Sequence, residues 1–481
     1  MNHNKLPLII QGGMGVNISS PLLASTVSRL NQQGTISGTA LEWVMVRSLQ
    51  MGDPGENFRR ALASFPFQET VKEIFNKFYL PGGKAKSAPF KGISHINLKP
   101  SGLLIALIIC ANFAMVTLAK EGHDKPVSIN YLEKIAMPHV YALTGAIMAG
   151  VDIITMGAGI PLQIPHLIND IVNHRETTYT IPVTGDTIKS FAMKFDPAKF
   201  FGTRLPDLKR PKFLPIIASN LLATLFLKKS PEGSVDGFVI EEPTAGGHNA
   251  PPRRPDPHAL PGAAPVYGEK DIVNYKEIAS LGLPFWIGGS HATPEKLKYA
   301  LSIGAAGIQA GSIFALSEES GMNPELRKKI RKSGFEGKLK VRTDARISPT
   351  GFPFKLAEVD GTISEKETYD SRVRVCNKGL LVTPYEKEDG KTGLRCAAEP
   401  YEKFIEKGGN PDDLEGRGCL CNGLLATAGV GDEVEPPMIT LGDDLEFLPL
   451  LMKHSDDTYS AGDAIKYLLC QYQEKPEIRK T

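Results

Sequence analysis

The sequence predicts an α/β protein built on a (β/α)8 TIM barrel, and three observations carry that expectation. Eight short apolar runs occur between Leu6 and Ser312, most of them are separated by a segment of helix length, and each ends in small or polar residues. Strands buried on both faces read as continuous apolar runs, and parallel strands need a crossover, usually a helix, between them. Eight such units close most simply into a barrel. An open, doubly wound sheet is the alternative. It would usually carry G-x-G-x-x-G after its first strand, and G-G-M-G-V-N at 12–17 lacks that spacing.

The first strand is expected over Leu6–Gln11, followed by a tight turn at 12–15 and a helix from about Ser20 to Asn31 with Pro21 in its first turn. Gly34–Ser37 is the second strand. Residues 40–125 are too many for a simple connection and read as an insertion with helices of its own, among them Pro54–Ala63. The rhythm then resumes, with a strand at Val127–Asn130, a helix at His139–Gly150 and a strand at 151–156 (V-D-I-I-T-M). Phe213–Ser219 is the fifth strand, with an apolar helix to about Leu227. Gly237–Glu241 is the sixth and Pro284–Ile287 the seventh, and a helix at Pro294–Ile303 leads to the eighth at Ala306–Gln309.

At 481 residues the chain exceeds one ordinary domain. Residues 1–320 are assigned to the barrel, and 321–481 to a C-terminal extension that packs on it and partly covers the site. The 55 Lys and Arg residues against 53 acidic ones leave a net charge of +2, which gives no reason to expect nucleic acid or an acidic membrane as partner. Six unevenly spaced cysteines, with no secretory leader ahead of Leu6, indicate a reducing compartment and a cytoplasmic enzyme. The apolar stretch Leu103–Ala119 is barely long enough to span a bilayer, contains Asn112 and is flanked by Lys99 and Lys120. A helix buried between the sheet and another layer is expected there, because a single mid-chain span would split the α/β pattern.

The chemistry concentrates after the sixth strand. Pro243, Gly246, Gly247, Pro251 and Pro252 exclude a regular helix and leave His248 at the carboxyl mouth of the barrel. Ligands bind at that mouth, and an imidazole suits proton transfer near neutral pH. A purely structural loop histidine would look the same. Gly288-Gly289 after strand seven and Gly311-Ser312 after strand eight offer backbone N–H groups and a hydroxyl where barrels commonly grip a phosphate. The two pairs in that order favour a phosphate-bearing cofactor.

Q-G-G-M-G at 11–15, A-G-G-H at 245–248, I-G-G-S at 287–290 and Q-A-G-S at 309–312 together resemble the FMN barrel shared by nitronate monooxygenases and flavin-dependent enoyl-acyl-carrier-protein reductases. A-G-G-H-N-A-P-P-R at 245–253, S-P-T-G-F-P-F-K at 348–355 and C-N-G-L-L-A-T-A-G at 421–429 resemble one branch, the free-standing (PfaD-like) enoyl reductases that act in trans with polyketide and polyunsaturated fatty acid synthases. The resemblance implies FMN reduced by NAD(P)H. It places Gly13 and Met14 by the flavin ring, Asn130 near its polar edge, and Glu241, Gly246 and Gly247 beside it. Gly288, Gly289, Gln309, Ala310, Gly311 and Ser312 would surround the ribityl phosphate. His248 takes the position of the catalytic histidine, here as proton donor. The implied partners are an acyl-carrier-protein-bound or other thioester substrate and the synthase that makes it, and a homodimer is a compatible assembly.

A nitronate monooxygenase is the rival reading, and a barrel without redox activity that serves as a binding module is the reading from outside the class. Glu241 stands where nitronate monooxygenases commonly have glutamine. A carboxylate there would oppose negative charge on a reduced flavin unless protonated or paired, with Arg253 or Lys125 as candidates. The proline-rich segment 248–261 would project over the mouth, with Arg253 and Arg254 mainly solvated. Cys376, Cys396, Cys419 and Cys421 could bind zinc or an iron–sulfur cluster, but only the C-x-C pair is close, so no metal is expected. Gly418–Gly423 reads as a turn near the flavin or substrate channel. Asp456–Cys470 reads as an amphipathic closing helix with Ala461, Ala464, Ile465 and Leu468 on one face.

Overall fold

The computed structural model describes residues 6–256, 258, 262–432 and 435–470. Eight parallel strands run in barrel order: β1 (Ile9–Gln11), β2 (Gly34–Ser37), β3 (Val127–Leu132), β4 (Ile153–Gly157), β5 (Lys212–Ile217), β6 (Phe238–Glu241), β7 (Phe285–Gly288) and β8 (Gly307–Ala310). β8 pairs with β1, and a bridge between Ile10 and Gln33 closes the ladder. That bridge comprises Gln11 N–H to Gln33 O and Gln33 N–H to Ile9 O, both 2.9 Å. The barrel is thus the expected (β/α)8 fold, and the open sheet is excluded.

Side chains alternate along a strand, so register decides which residues point inside. Ile10, Leu214, Val239 and Trp286 form an apolar cluster separate from the main core and plug the barrel interior. Two residues further along, the same faces carry Ile216, Glu241 and Gly288. Glu241 lies opposite Gly288, Gly288 opposite Gln309, and Ser37 opposite Asn130 opposite Thr155. An apolar plug below and a polar row above place the site at the carboxyl end.

Helices follow from local signals. Ser20 caps Pro21–Arg29 by accepting the Leu23 N–H at 3.1 Å, with Pro21 in the first turn where its missing N–H costs nothing. The apolar stretch forms the helix Gly102–Lys120, capped by Ser101. It is long and apolar enough to cross a membrane, yet most of it is buried against β2, β3 and the helix His139–Met148. Burial also accounts for its one interior polar residue, since Asn112 donates to Ile108 O at 2.9 Å and accepts the Tyr131 hydroxyl at 2.8 Å. At its end Lys120 donates to Gly150 O and pairs with Asp152 at 2.6 Å.

The insertion contributes Leu41–Gln50, Asn57–Leu62 and Gln68–Phe78 ahead of that helix; the expected helix Pro54–Ala63 is broken into a 3-10 turn at Pro54–Glu56 and an α-helix. Between β4 and β5 stands an element not anticipated from sequence, an antiparallel hairpin of Thr177–Pro182 and Ser190–Phe195. Its first strand alternates buried and exposed residues, the period of a sheet with one wet face. Phe195 packs edge-on against Tyr141 at 4.9 Å.

Beyond residue 320 two more hairpins, Val341–Asp344 with Phe354–Ala357 and Thr383–Glu386 with Thr392–Arg395, replace the βα rhythm. The closing helix Ala461–Leu469 buries Ala461, Ala464, Ile465 and Leu468, the face expected, and packs against Pro21–Arg29. Asp432 ties this segment to the insertion. It accepts from Arg47 at 2.6 Å and Lys378 at 2.5 Å, two cations whose side chains are each 2% exposed.

Two stability outcomes follow. A β-carbon added at Gly145 would lie 2.2 Å from Ile109 O on the neighbouring helix. Gly→Ala inside a helix ordinarily stabilises by up to ~1 kcal/mol, whereas overpacking makes Gly145→Ala lose about 2 kcal/mol in urea denaturation. A gain would show that the helices separate freely. Asp432→Asn leaves two buried cations without their anion and is expected to cost about 3 kcal/mol in the same measurement; a change under about 0.5 kcal/mol, the size seen for exposed pairs, would refute the anchor.

Candidate functional site

A cavity occupies the carboxyl mouth of the barrel, and the inward-facing polar row forms part of its wall. All the residues singled out from sequence border it: Gly13, Met14, Asn130, Glu241, Gly246, Gly247, His248, Gly288, Gly289, Gln309, Ala310, Gly311 and Ser312. The imidazole and the two glycine corners therefore share one space.

Several of these positions admit no side chain. A β-carbon on Gly13 would fall 2.2 Å from Asn130 Cβ. Asn130 is itself held by Thr155, whose hydroxyl donates to Asn130 Oδ1 at 2.8 Å and leaves the amide nitrogen beside Gly13. Gly289 has φ +104°, and a β-carbon there would meet Thr244 Oγ1 at 2.8 Å. A β-carbon on Gly246 would meet the backbone of Leu441 at 2.9 Å. At the far corner Ser312 Oγ accepts the Gly442 N–H at 2.8 Å, which leaves its own hydrogen to donate. Thr244 Oγ1, also in the cavity wall, is buried without a hydrogen-bond partner. A buried hydroxyl in that state carries a desolvation cost that a ligand acceptor would relieve.

The C-terminal segment supplies one wall. Lys355 N–H donates to Gly247 O and Asn249 N–H to Pro353 O, both at 2.9 Å, and Gly247 N–H donates to Thr440 Oγ1 at 2.7 Å. This backbone pairing lays S-P-T-G-F-P-F-K along the His248 loop. His248 Nε2 then meets Ser348 Oγ at 2.7 Å and Thr350 Oγ1 at 3.3 Å, and its ring packs edge-on against Phe354. Leu380, Leu381, Leu420 and Leu424 line the apolar side of the same cavity. The expected turn at Gly418–Gly423 is instead the start of a helix, Leu420–Thr427, because Cys419 already has cap geometry.

Three ionisable groups respond to the dry surroundings. Burial pushes Glu241's carboxyl up to about 7, with Lys134 pulling the other way. Burial also brings the Lys134 ammonium down to about 8, opposed by Glu133 and Glu241. His248 is pushed down to about 3 by burial and by Lys134. Both effects favour the uncharged imidazole. The cation acting on Glu241 is Lys134, not Arg253 or Lys125. Lys134 lies 3.6 Å over the Phe352 ring and donates to Ala158 O.

Glu241 also borders a second, smaller cavity with Glu242, Asn249, Arg253, Tyr267 and Asp271. Arg253 is held there by its N–H to Asp271 at 2.8 Å and its guanidinium to Ala218 O at 3.2 Å, while Arg254 is exposed. Residues 257 and 259–261 of the proline-rich segment lie outside the described residues. Cys376, Cys396, Cys419 and Cys421 pack into one buried cluster of free thiols, and Cys421 also touches the main cavity. Among the described residues no three His, Cys, Asp or Glu side chains are placed to hold a metal ion.

Sequence reading missed Thr244, Lys134, Ser348 and Phe354 as contributors. Ser348 and Phe354 lay inside a quoted motif, and Thr244 in the loop leading to A-G-G-H. Lys134 carries no local signal, because only the neighbouring strands aim it at Glu241.

No protein-family model matches the chain, and no curated protein matches its sequence. Among solved structures, it is similar to FabK from Thermotoga maritima, at 15% identity over 97% of this chain and 92% of that one, with a TM-score of 0.45. It is similar to a nitroalkane oxidase from Streptomyces ansochromogenes, at 12% identity over 96% and 95%, TM-score 0.44. A further similarity is to the enoyl reductase domain of MlnA, from the macrolactin biosynthesis cluster of Bacillus amyloliquefaciens, at 11% identity over 96% and 93%, TM-score 0.48.

Proposed function

We propose that the chain is an FMN-dependent oxidoreductase that reduces the double bond of an enoyl thioester with NAD(P)H, acting in trans on acyl chains carried by a polyketide or fatty acid synthase. One observation carries the reading: the polar corner at Thr244, Gly289 and Ser312, the glycine wall at 13 and 246, and an apolar wall of leucines all face one cavity. The donor set fits a flavin phosphate. Thr244 has a buried hydroxyl without a partner, Ser312 has a hydroxyl hydrogen to give, and Gly289 is a position where any side chain would fill the cradle. The glycines at 13 and 246 suit a flat ring lying against backbone. A bound flavin would take hydride from NAD(P)H and supply it to the β-carbon of the substrate. The protein orients the ring, excludes water and provides the proton.

The apolar wall of Leu380, Leu381, Leu420 and Leu424 suits an acyl chain better than a small nitronate. Taking a proton from a nitroalkane carbon needs a base, and His248, at about 3, is a weak one at neutral pH.

Purified protein should be yellow, and should oxidise NAD(P)H when given a crotonyl thioester. Oxygen uptake with an alkyl nitronate and no thioester reduction would replace this reading by the nitronate one. A colourless protein that FMN cannot reconstitute would remove both.

The phosphate corner is tested separately. Thr244→Val removes a hydroxyl that has no protein partner, so the cofactor-free protein should keep its denaturation midpoint or gain slightly. FMN affinity should fall about 10-fold, the value of one hydrogen bond of ~1.4 kcal/mol, while riboflavin, which lacks the phosphate, should bind as before. Equal loss for both ligands would place Thr244 away from the phosphate.

A further inference from the structure

We propose that Glu241 is the acid of this site, delivering the proton to the substrate's α-carbon and regaining it from water in the second cavity. The inference rests on the enoyl-thioester reading above and names the residue that supplies the proton in it.

Glu241 stands at the carboxyl end of β6, opposite Gly288 in the ladder, where the missing side chain leaves its carboxyl room at the inner wall. It borders the main cavity and the second cavity alike, the one residue on β6 that does so among the described residues. The second cavity, which Asn249, Arg253, Tyr267 and Asp271 help to line, reaches the exposed segment at Arg253, and Asn249 Oδ1 is buried without a partner. A carboxyl on the partition between two cavities can release a proton into the first and recover it from the second. Among the described residues no hydrogen bond engages the Glu241 carboxyl, whose proton is therefore not committed elsewhere.

The groups that face it set its charge. Lys134 is the cation nearby, itself engaged with Ala158 O and the Phe352 ring, and Glu133 stands behind it. Tyr267, also in the second cavity, donates to Ala250 O at 3.0 Å and leaves the carboxyl free. Glu242, the next residue, is occupied by Tyr275 and by His291 at 3.6 Å. Burial outweighs Lys134 and pushes the carboxyl up to about 7, so the protonated form is favoured as pH falls below neutral. His248 offers the contrast: its Nε2 is engaged by Ser348 and Thr350, and its ring is neutral through the physiological range. A neutral imidazole parts with its N–H proton far less readily than a carboxylic acid does, because its conjugate base is much stronger.

In the step itself, hydride adds to the β-carbon and the π electrons of the C=C bond move toward the thioester carbonyl as an enolate. The enolate's α-carbon then forms a C–H bond with the Glu241 proton while the carboxyl O–H bond breaks. The carboxylate is left behind and takes a proton from water. One hydride and one proton are consumed, and the substrate is reduced by two electrons at the cost of the nicotinamide.

The test uses flavin-loaded Glu241→Gln, Glu241→Asp and His248→Gln proteins with NADPH and crotonyl-pantetheine, following the two half-reactions separately. Flavin reduction by NADPH needs no proton on carbon, so Glu241→Gln should keep it within about 3-fold. Reoxidation by the thioester should fall about 100-fold or more. Glu241→Asp should restore part of that loss. In the native protein reoxidation should decline as pH rises through about 7, since the active form holds the proton, and this limb should vanish in Glu241→Gln. A readout free of turnover accompanies it: the infrared carbonyl band of a protonated carboxyl in the cofactor-free protein should titrate away near pH 7 and be absent from Glu241→Gln. Reoxidation unchanged in Glu241→Gln but lost in His248→Gln, with the pH limb retained, would overturn the proposal and return the proton to His248. If native protein fails to reduce crotonyl-pantetheine at all, the enoyl reading falls; a missing infrared titration in that same protein would sink the protonated carboxyl independently.

Discussion

The barrel closes through one backbone bridge, Ile10 against Gln33, and the geometry of the mouth depends on that closure. β1 brings Gly12 and Gly13 beside Gln309 on one side, and β2 continues the ladder to Asn130 on β3 on the other. An open ladder would leave Gly13 and Asn130 at opposite edges of a sheet, with no enclosed cavity between them. The same register places the apolar plug of Leu214, Val239 and Trp286 beneath the polar row. The plug keeps water out from below, which is what allows the groups above it to depart from their solution behaviour.

That departure is the electrostatic character of the site. Lys134, Glu241 and His248 all move toward their neutral forms, and burial is the main cause for each. A site arranged to stabilise a permanent charge would show opposed partners locked in short ion pairs, as Asp432 is with Arg47 and Lys378 elsewhere in the molecule. Here the charges are few and poised. Such groups respond to small changes in their surroundings, which is what proton movement in a buried site requires.

The C-terminal segment does more than cover the opening. Its pairing with residues 247–249 fixes the backbone of the His248 loop, and its serine and threonine at 348 and 350 fix the imidazole. Its leucines supply the apolar wall, and Asp432 ties it back to the helix Leu41–Gln50 of the insertion. The site is therefore shared between parts of the chain hundreds of residues apart, and the extension and insertion brace each other around it. The thiols of Cys376, Cys396, Cys419 and Cys421 belong to this brace and, through Cys421, reach the cavity.

Much of this was legible in the chain itself. Apolar runs ending in small or polar residues mark all eight strands, because a strand buried on both faces must be apolar and must end where the backbone turns. The glycines at 13, 246, 288, 289 and 311 announced a cavity wall, because close approach of backbone to a ligand leaves no room for a β-carbon. The hairpin Thr177–Pro182 with Ser190–Phe195 was not among the expected elements, because its half-exposed alternating strand lacks the continuous apolar run that marks the barrel strands. Local sequence determined which residues stand at the mouth and what chemistry their side chains can perform. Only the tertiary structure decided their protonation, their partners and which of them is free to act: burial and the approach of Lys134, Ser348 and Phe354 come from distant segments, and desolvation is a property of the space those segments enclose rather than of any residue within it.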